Sequence, residues 1–440
     1  MLILLSDLHL MDGTAGIHHL TADAFREAFD DLAKIANKAK PKDIKIVLLG
    51  DIFDLIRTER WFDVPPEQRP WGSAPSEAAA LDILEGVIAK NQESFELMAG
   101  SLGDVFGFPA EPEIVFIPGN HDRLCSMYPS LRRRVREAFG MPASDAPFDH
   151  QYLDLDHGVL GRHGQEWDAF NFEGSETFRL QEYTPIPLED YFRVPIGDLL
   201  ACEVASRMPS AVRDALGENH PQRDHLYRRF QDLFDVRPMI AIMEWLNYQA
   251  DRNDEAVQKA VNEAVRRVGH EFGDIPFVPD WIDRHDQARN PFDEGDVLQM
   301  LLFIMDSIKI TRFDRSLRQI EGAEKAQEDK FALKAVEDFQ RLDANPDLKG
   351  GILYAIYGHT HQADQRAVGV VGEGSKERYR MYLNTGTWRP VQRHGLSGKG
   401  FVNWMNITYT VVCKAGEANW GGRIETYPAF QTWTGALRDV

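Results

Sequence analysis

Only three cysteines occur in 440 residues, Cys125, Cys202 and Cys413, far apart and without a C-x-x-C pair. So sparse and odd a count argues against a disulfide-built secreted fold and fits a reducing compartment. Cys125 reads as a small buried residue rather than a nucleophile. Positive charge is scarce as well: 49 basic against 69 acidic side chains give a formal net charge of −20. That balance disfavours nucleic acid as a partner, since such a surface needs a cationic footprint. Nucleotides remain open as substrates, because bound divalent cations reverse the potential locally. No apolar run approaches the ~18 residues of a membrane-spanning helix, so no membrane span is expected. The first apolar run, Leu2 to Leu5, stops before Asp7 and follows no basic region. It reads as a strand rather than a signal peptide, and a cytoplasmic location is expected.

What is present is apolar substance: 43% hydrophobic and 10% aromatic residues, enough for a sizeable core. It is distributed as short runs that end in polar side chains. Leu2-Ile3-Leu4-Leu5 leads into Ser6-Asp7-Leu8-His9, and Ile44 to Leu49 into Gly50-Asp51-Ile52-Phe53-Asp54. Ile114-Val115-Phe116-Ile117 leads into Pro118-Gly119-Asn120-His121-Asp122-Arg123, and Ile352 to Tyr357 into Gly358-His359-Thr360-His361. Each reads as a buried strand cut off by a tight turn. The segment Gly158-Val159-Leu160 opens similarly into Gly161-Arg162-His163-Gly164. Strand ends loaded with Asp, His and Asn predict one shared polar site at a sheet edge.

Between the first two runs, Phe25, Phe29, Leu32 and Ala33 recur at helical spacing, with Thr21 as a candidate N-cap and Pro41 as a stop. This β-α-β start predicts a parallel sheet. His18 and His19 lie in the loop from Met11 to Leu20, and residues 57–76 form an irregular excursion beside the site. Residues 175–348 change texture into long amphipathic stretches with few β-like runs. They predict a helical insertion between two halves of a core, 1–174 and 349–440, and are a candidate lid, specificity element or homo-oligomer interface. Beyond His361, the alternating segments Arg378–Leu383, Phe401–Val412 and Arg423–Tyr427 predict a second, antiparallel sheet packed on the first. The fold class is therefore α/β, a two-sheet sandwich flanked by helices with a helical insertion.

Carboxylate, imidazole and amide oxygen together suit Mn²⁺, Fe²⁺ or Zn²⁺. A carboxylate bridging two such ions offsets their repulsion at a separation of about 3.5–4 Å. Water trapped between them loses a proton near neutral pH and becomes a nucleophile, and phosphoryl oxygens bind the same ions.

The ordered set Asp7-Leu8-His9, Gly50-Asp51-x-x-Asp54, Gly119-Asn120-His121-Asp122, Gly161-x-His163 and Gly358-His359-Thr360-His361 resembles the calcineurin-like metallophosphoesterase superfamily, in a bacterial form with a large helical insertion. The resemblance covers about residues 1–170 and 350–390. It implies a four-layer αββα core and a dinuclear centre, with Mn²⁺ ahead of Fe²⁺ or Zn²⁺. Asp7, His9 and His361 would bind the first ion, Asp51 would bridge, and Asn120, His163 and His359 would bind the second. His121 would act beside the leaving group, held by Asp122 or Asp54. Arg123, Trp388 and Arg389 are candidate substrate contacts. The implied activity is hydrolysis of a small phosphate ester by a metal-bridging hydroxide, the ester being a phosphodiester, a nucleotide-type pyrophosphate or a phosphomonoester. The alternatives are a nuclease, for which the Arg132–Arg136 cluster is the candidate surface, and a non-catalytic metal-binding scaffold.

Overall fold

The apolar runs ahead of the polar turns all form strands: Leu2–Leu5 (β1), Ile44–Leu49 (β2) and Pro112–Ile117 (β3). The computed structural model describes residues 1–16, 20–174, 186–237, 241–286, 294–306, 317–395, 400–419 and 421–437. His18 and His19 lie outside the described residues. β1 and β2 pair in parallel, with Leu4 opposite Val47, and β2 and β3 do so with Val47 opposite Val115. The helix Ala22–Ala39 (α1) makes the first crossover.

Apart from Lys45 and Glu113 near their amino ends, these strands are apolar rather than alternating because both faces are covered. Ile3, Leu5, Ile46 and Leu48 turn toward the helices, where they meet Phe25, Phe29 and Leu32 of α1. Leu2, Leu4, Val47 and Leu49 turn the other way and meet Val159, Leu353, Ile356 and Leu383 of a second sheet. That sheet contains Tyr152–Asp154 (β4), Val159–Arg162 (β5), Tyr354–Tyr357 (β6), Ala363–Val371 (β7) and Arg378–Thr385 (β8). Its order is β4-β5-β6-β8-β7, with β5, β6 and β8 parallel and the two edges antiparallel.

The expectation of a purely antiparallel second sheet is corrected. Phe401–Cys413 (β10) joins the first sheet instead, antiparallel to β1 with Ile3 opposite Val411. It is flanked by Pro390–His394 (β9) and Ala429–Leu437 (β11). Val411 and Val412 are fully buried on opposite faces, which suits the interior of the first sheet rather than an edge. Both sheets are thus mixed. The segment Arg423–Tyr427 makes only an isolated bridge, Ile424 to Ala418.

The stretch 175–348 divides between two roles. Helices from Met208 to Gly273 share a core of Val212, Phe230, Trp245, Val261 and Val265. The helix Leu317–Ala344 instead lays Phe331, Ala335, Phe339 and Leu342 on Leu160, Ala355, Tyr357 and Tyr382 of the second sheet. Its carboxyl half is therefore a layer of the sandwich, where the sequence texture assigned it to the insertion. Among the described residues no helix is long and apolar enough to cross a membrane.

Candidate metal centre

The carboxyl ends of β1, β2, β3, β5 and β6 converge along one rim of the sandwich, where ligands of open α/β sheets collect. Pairing continues past the strand ends. Asp7 N donates to Gly50 O (3.0 Å), His9 N to Asp51 O (2.8 Å) and Leu10 N to Ile52 O (2.8 Å). This holds the first two polar turns in register with each other. Close approach of the turns needs glycine: a Cβ on Gly358 would stand 2.5 Å from Ser6 Oγ and 2.6 Å from Asp7 Oδ2.

Backbone strain is concentrated here. Asp7, His9, Asp51, His359 and His361 all have φ between 47° and 70°. Among the described non-glycine residues only Lys40, the left-handed cap of α1, shares that region. Such conformations cost about 1–3 kcal/mol each and persist where the surroundings over-determine them.

Asp7, His9 and His361 place one potential ligand atom each within 4.8 Å of one another, Asp51, His163 and His359 do the same, and so do His9, Asp54 and His121. In the first, His9 Nε2 faces His361 Nε2 at 3.0 Å, and Asp7 Oδ1 lies 3.3 Å from His361 Nε2. In the second, Asn120 Oδ1 lies 3.2 Å from His163 Nε2 and 3.1 Å from His359 Nδ1. Asp51 stands between them, its Oδ2 3.6 Å from His9 Nε2 and 3.2 Å from His163 Nε2. The geometry gathers all seven side chains expected from the motifs: Asp7, His9, Asp51, Asn120, His163, His359 and His361.

The donor set fits a cation. Asp7 is fully buried, yet its Oδ1 has no hydrogen-bond partner among the described residues. A buried lone pair without a donor is costly unless positive charge meets it. Burial works against the ionised forms of Asp7 and Asp51, but the surrounding imidazoles outweigh it and hold both carboxyls below the usual range. Burial likewise opposes a charged His163, yet Asp51 and Asp7 raise it to about 10. A proton thus sits where a metal ion would replace it. Burial and Arg237 hold His361 well below its ordinary value, leaving the neutral ring that ligates metals. These buried His and Asp groups are able to hold a metal ion.

Supporting contacts orient the rings. His163 Nδ1 donates to Leu49 O at 2.8 Å, directing Nε2 inward. Asp168 Oδ2 lies 3.0 Å from His359 Nε2, directing Nδ1 inward. Sequence reading gave Asp168 no role, although it sits in the turn that carries His163. Asp54 resolves the choice of partner for His121, with Oδ1 2.9 Å from His121 Nδ1 and Oδ2 3.2 Å from His9 Nδ1. Asp122 is corrected: its carboxylate accepts from the backbone N–H groups of Ile52, Phe53 and Gly119 and so ties the second and third turns together. Burial and then Asp51 push its pKa up to about 7.

The three expected substrate contacts also change. Trp388 is fully buried, packs 5.1 Å from Phe25 and donates Nε1–H to Thr408 O, so it belongs to the core. Arg123 is buried with its guanidinium spent on Asp198 (2.6 Å), Pro70 O (2.8 Å) and Phe192 O (3.3 Å). It pins helix Ile196–Leu199 to the core. Arg389 is buried against Asp235, with Nη1 3.8 Å from Asp54 Oδ2.

Two arginines that the motifs do not mark reach the centre. Arg57 Nη2 lies 3.2 Å from His121 Nε2, and Arg237 Nη2 lies 2.8 Å from His361 Nδ1. Burial, then Arg57 and Arg389, push the Arg237 guanidinium down to about 9. The Arg132–Arg136 cluster, in contrast, is largely spent locally. Arg132 donates to Ser126 O and Asp145 O, Arg134 to Glu85, and Arg136 to Ser144 O and Ala146 O.

The sequence matches no family model and no curated protein.

Proposed function

We propose that this chain is a metal-dependent phosphoesterase of the calcineurin-like kind, holding two divalent cations, with Mn²⁺ ahead of Fe²⁺ or Zn²⁺. Asp7, His9 and His361 hold the first, Asn120, His163 and His359 the second, and Asp51 lies between. The observation that carries this reading is the convergence of two ligand clusters, strained at five ligand residues, on either side of the buried Asp51 carboxylate. When bound, the cations supply Lewis acidity toward phosphoryl oxygens and a water nucleophile at neutral pH.

The residues of the chain perform the rest. Asp54 fixes the proton of His121 on Nδ1 and so turns Nε2 toward the centre. Burial lowers the pKa of His121, Asp54 opposes that, and Arg57 reinforces it, so the ring is neutral and faces the reaction as an acceptor beside a guanidinium. Arg57 places a guanidinium beside that ring, where it meets an oxygen of the bound phosphate. The substrates this arrangement serves are small phosphate esters: phosphodiesters, nucleotide-type pyrophosphates or phosphomonoesters.

A nuclease gains no support from helix Pro129–Ala138, whose arginines bond mainly to neighbouring backbone. The test is turnover of bis-p-nitrophenyl phosphate and p-nitrophenyl phosphate with Mn²⁺, alongside metal analysis of the protein and its Asp51→Asn variant. Metal-dependent hydrolysis that the variant loses is expected. A metal-loaded protein that leaves a broad panel of phosphate esters intact would point to a scaffold instead.

A further inference from the structure

The segment Phe234–Arg237, within the stretch read from sequence as an insertion, is tied to the rim of the metal centre. Val236 forms a bridge with Gln392, and Arg237 N donates to Gln392 O at 2.9 Å. Asp235 pairs with Arg389. The Phe234 ring lies beneath two guanidiniums, 4.8 Å from Arg57 and 5.8 Å from Arg389. One short segment thus collects three arginines around the centre.

Their charge is not matched. Asp54 and Asp235 are the carboxylates within ion-pair distance of this group; Asp51 and Asp7 act on Arg57 and Arg237 from further off, and they are the two that bound cations would take up. Asp54 is also shared with both His121 and His9. Arg57 is 8% exposed, its Nη1 stands 3.5 Å from Asp54, and neither Nε nor Nη1 makes a hydrogen bond among the described residues. Arg237 pairs with no carboxylate among them. Its Nη1 donates to the neutral oxygens Phe234 O and Val236 O, and its Nη2 meets His361 Nδ1.

We propose that Arg57 and Arg237 form a substrate-binding pair that selects phosphate esters carrying at least two negative charges over singly charged diesters. The inference rests on the phosphoesterase reading and narrows it. Guanidinium forks bind phosphate oxygens through paired, charge-assisted hydrogen bonds, and a second negative charge is what the unmatched pair lacks. The two charges are carried either by one terminal phosphate or by the two phosphates of a pyrophosphate bridge.

The experiment has a binding arm and a turnover arm, both on the full chain loaded with Mn²⁺. Calorimetry compares inorganic phosphate at pH 8 with dimethyl phosphate, for wild type, Arg57→Gln, Arg237→Gln and Arg237→Lys. The preference for the dianion should fall by about 10- to 100-fold in the Gln variants, the loss expected for a charged hydrogen bond. Arg237→Lys should restore part of it. Turnover compares p-nitrophenyl phosphate, diadenosine pyrophosphate and bis-p-nitrophenyl phosphate. Losses in kcat/KM should be at least tenfold greater for whichever doubly charged substrate is used than for the singly charged diester. Which of the two falls further tells whether the charges sit on one phosphate or two. Variants that melt like wild type and keep the wild-type preference would overturn the proposal. Equal losses on all three substrates would also overturn it while leaving the phosphoesterase reading in place. Arg-dependent phosphate binding without any turnover would uphold the pair and remove the phosphoesterase.

Discussion

Asp54 joins His121 to His9: its Oδ1 lies 2.9 Å from His121 Nδ1 and its Oδ2 3.2 Å from His9 Nδ1. One carboxylate thus orients both the His9 ring, in the first cluster, and the His121 ring. Asp54→Asn keeps the shape but offers one acceptor where two are used. Turnover should fall by about 10- to 100-fold, as when other carboxylates behind such histidines are removed. Asp122→Asn is the contrast. It weakens backbone ties between turns, so the melting temperature should fall more than turnover. Steady-state kinetics and thermal melting on both variants decide; equal effects on turnover would show that Asp54 has no special part.

Metal loading should stabilise the fold, because the clusters gather acidic and imidazole groups that repay a cation only when folded. At a hundredfold excess over Kd the gain for one site is about 2.7 kcal/mol. Mn²⁺ should raise the melting temperature of wild type and a chelator should reverse the rise. Asp51→Asn, which removes the carboxylate between the clusters, should lose most of the response. A wild-type melting curve indifferent to Mn²⁺ would count directly against a metal centre.

The seven residues of the two clusters were legible because each sits within a few positions of a strand end, where apolar runs and glycines mark the place. The surrounding residues were not. Asp54 and Asp122 are both acidic and both near His121 in space, and only the fold shows that Asp122 is taken up by three backbone donors. Trp388 and Arg389 follow a strand in the manner of substrate contacts, yet β10 covers Trp388 and Asp235 claims Arg389. Arg237 reaches His361 across 124 residues, and no local pattern announces a contact of that range. The sheets were legible as strands but misassigned at Phe401–Cys413, because alternation does not say which neighbour a strand will choose.

Trp388 supplies a check on its relocation to the core. Trp388→Phe keeps most of the apolar surface but leaves the buried Thr408 O without its donor, at about 1–3 kcal/mol. The melting temperature should fall while KM for a phosphate ester stays within twofold. A raised KM with unchanged melting would return Trp388 to the substrate side.

His150 should give the fold a sensitivity to mild acid. Its ring stacks on Tyr191 at 3.7 Å, and neither nitrogen has a hydrogen-bond partner among the described residues. Burial lowers its pKa from 6.5 to about 3. The unfolded chain therefore takes up this proton first, so the contribution is complete above pH 6.5 and is lost as pH falls from there toward 3. At pH 4 the loss reaches about 3 kcal/mol. His150→Phe, which keeps the stack, should flatten the decline in melting temperature between pH 7 and pH 4. Parallel curves for variant and wild type would show that the ring takes up its proton without penalty.

Arg123 and Asp198 allow the docking of the helical segment on the core to be measured. Arg123 Nη2 lies 2.6 Å and Nε 3.0 Å from the same carboxylate oxygen, and both residues are at least 95% buried. Burial raises the pKa of Asp198 in spite of that pairing, so its charge depends on the guanidinium. Arg123→Met would strand the carboxylate, at a cost of about 3–5 kcal/mol, whereas replacing both partners by apolar residues often costs little. The double variant Arg123→Met with Asp198→Leu should therefore melt above the single Arg123→Met protein. If Arg123 instead bound substrate phosphate, the double variant would remain as defective in KM as the single one, whatever its stability. Thermal melting and KM measured on the same three proteins separate a structural pin from a substrate contact.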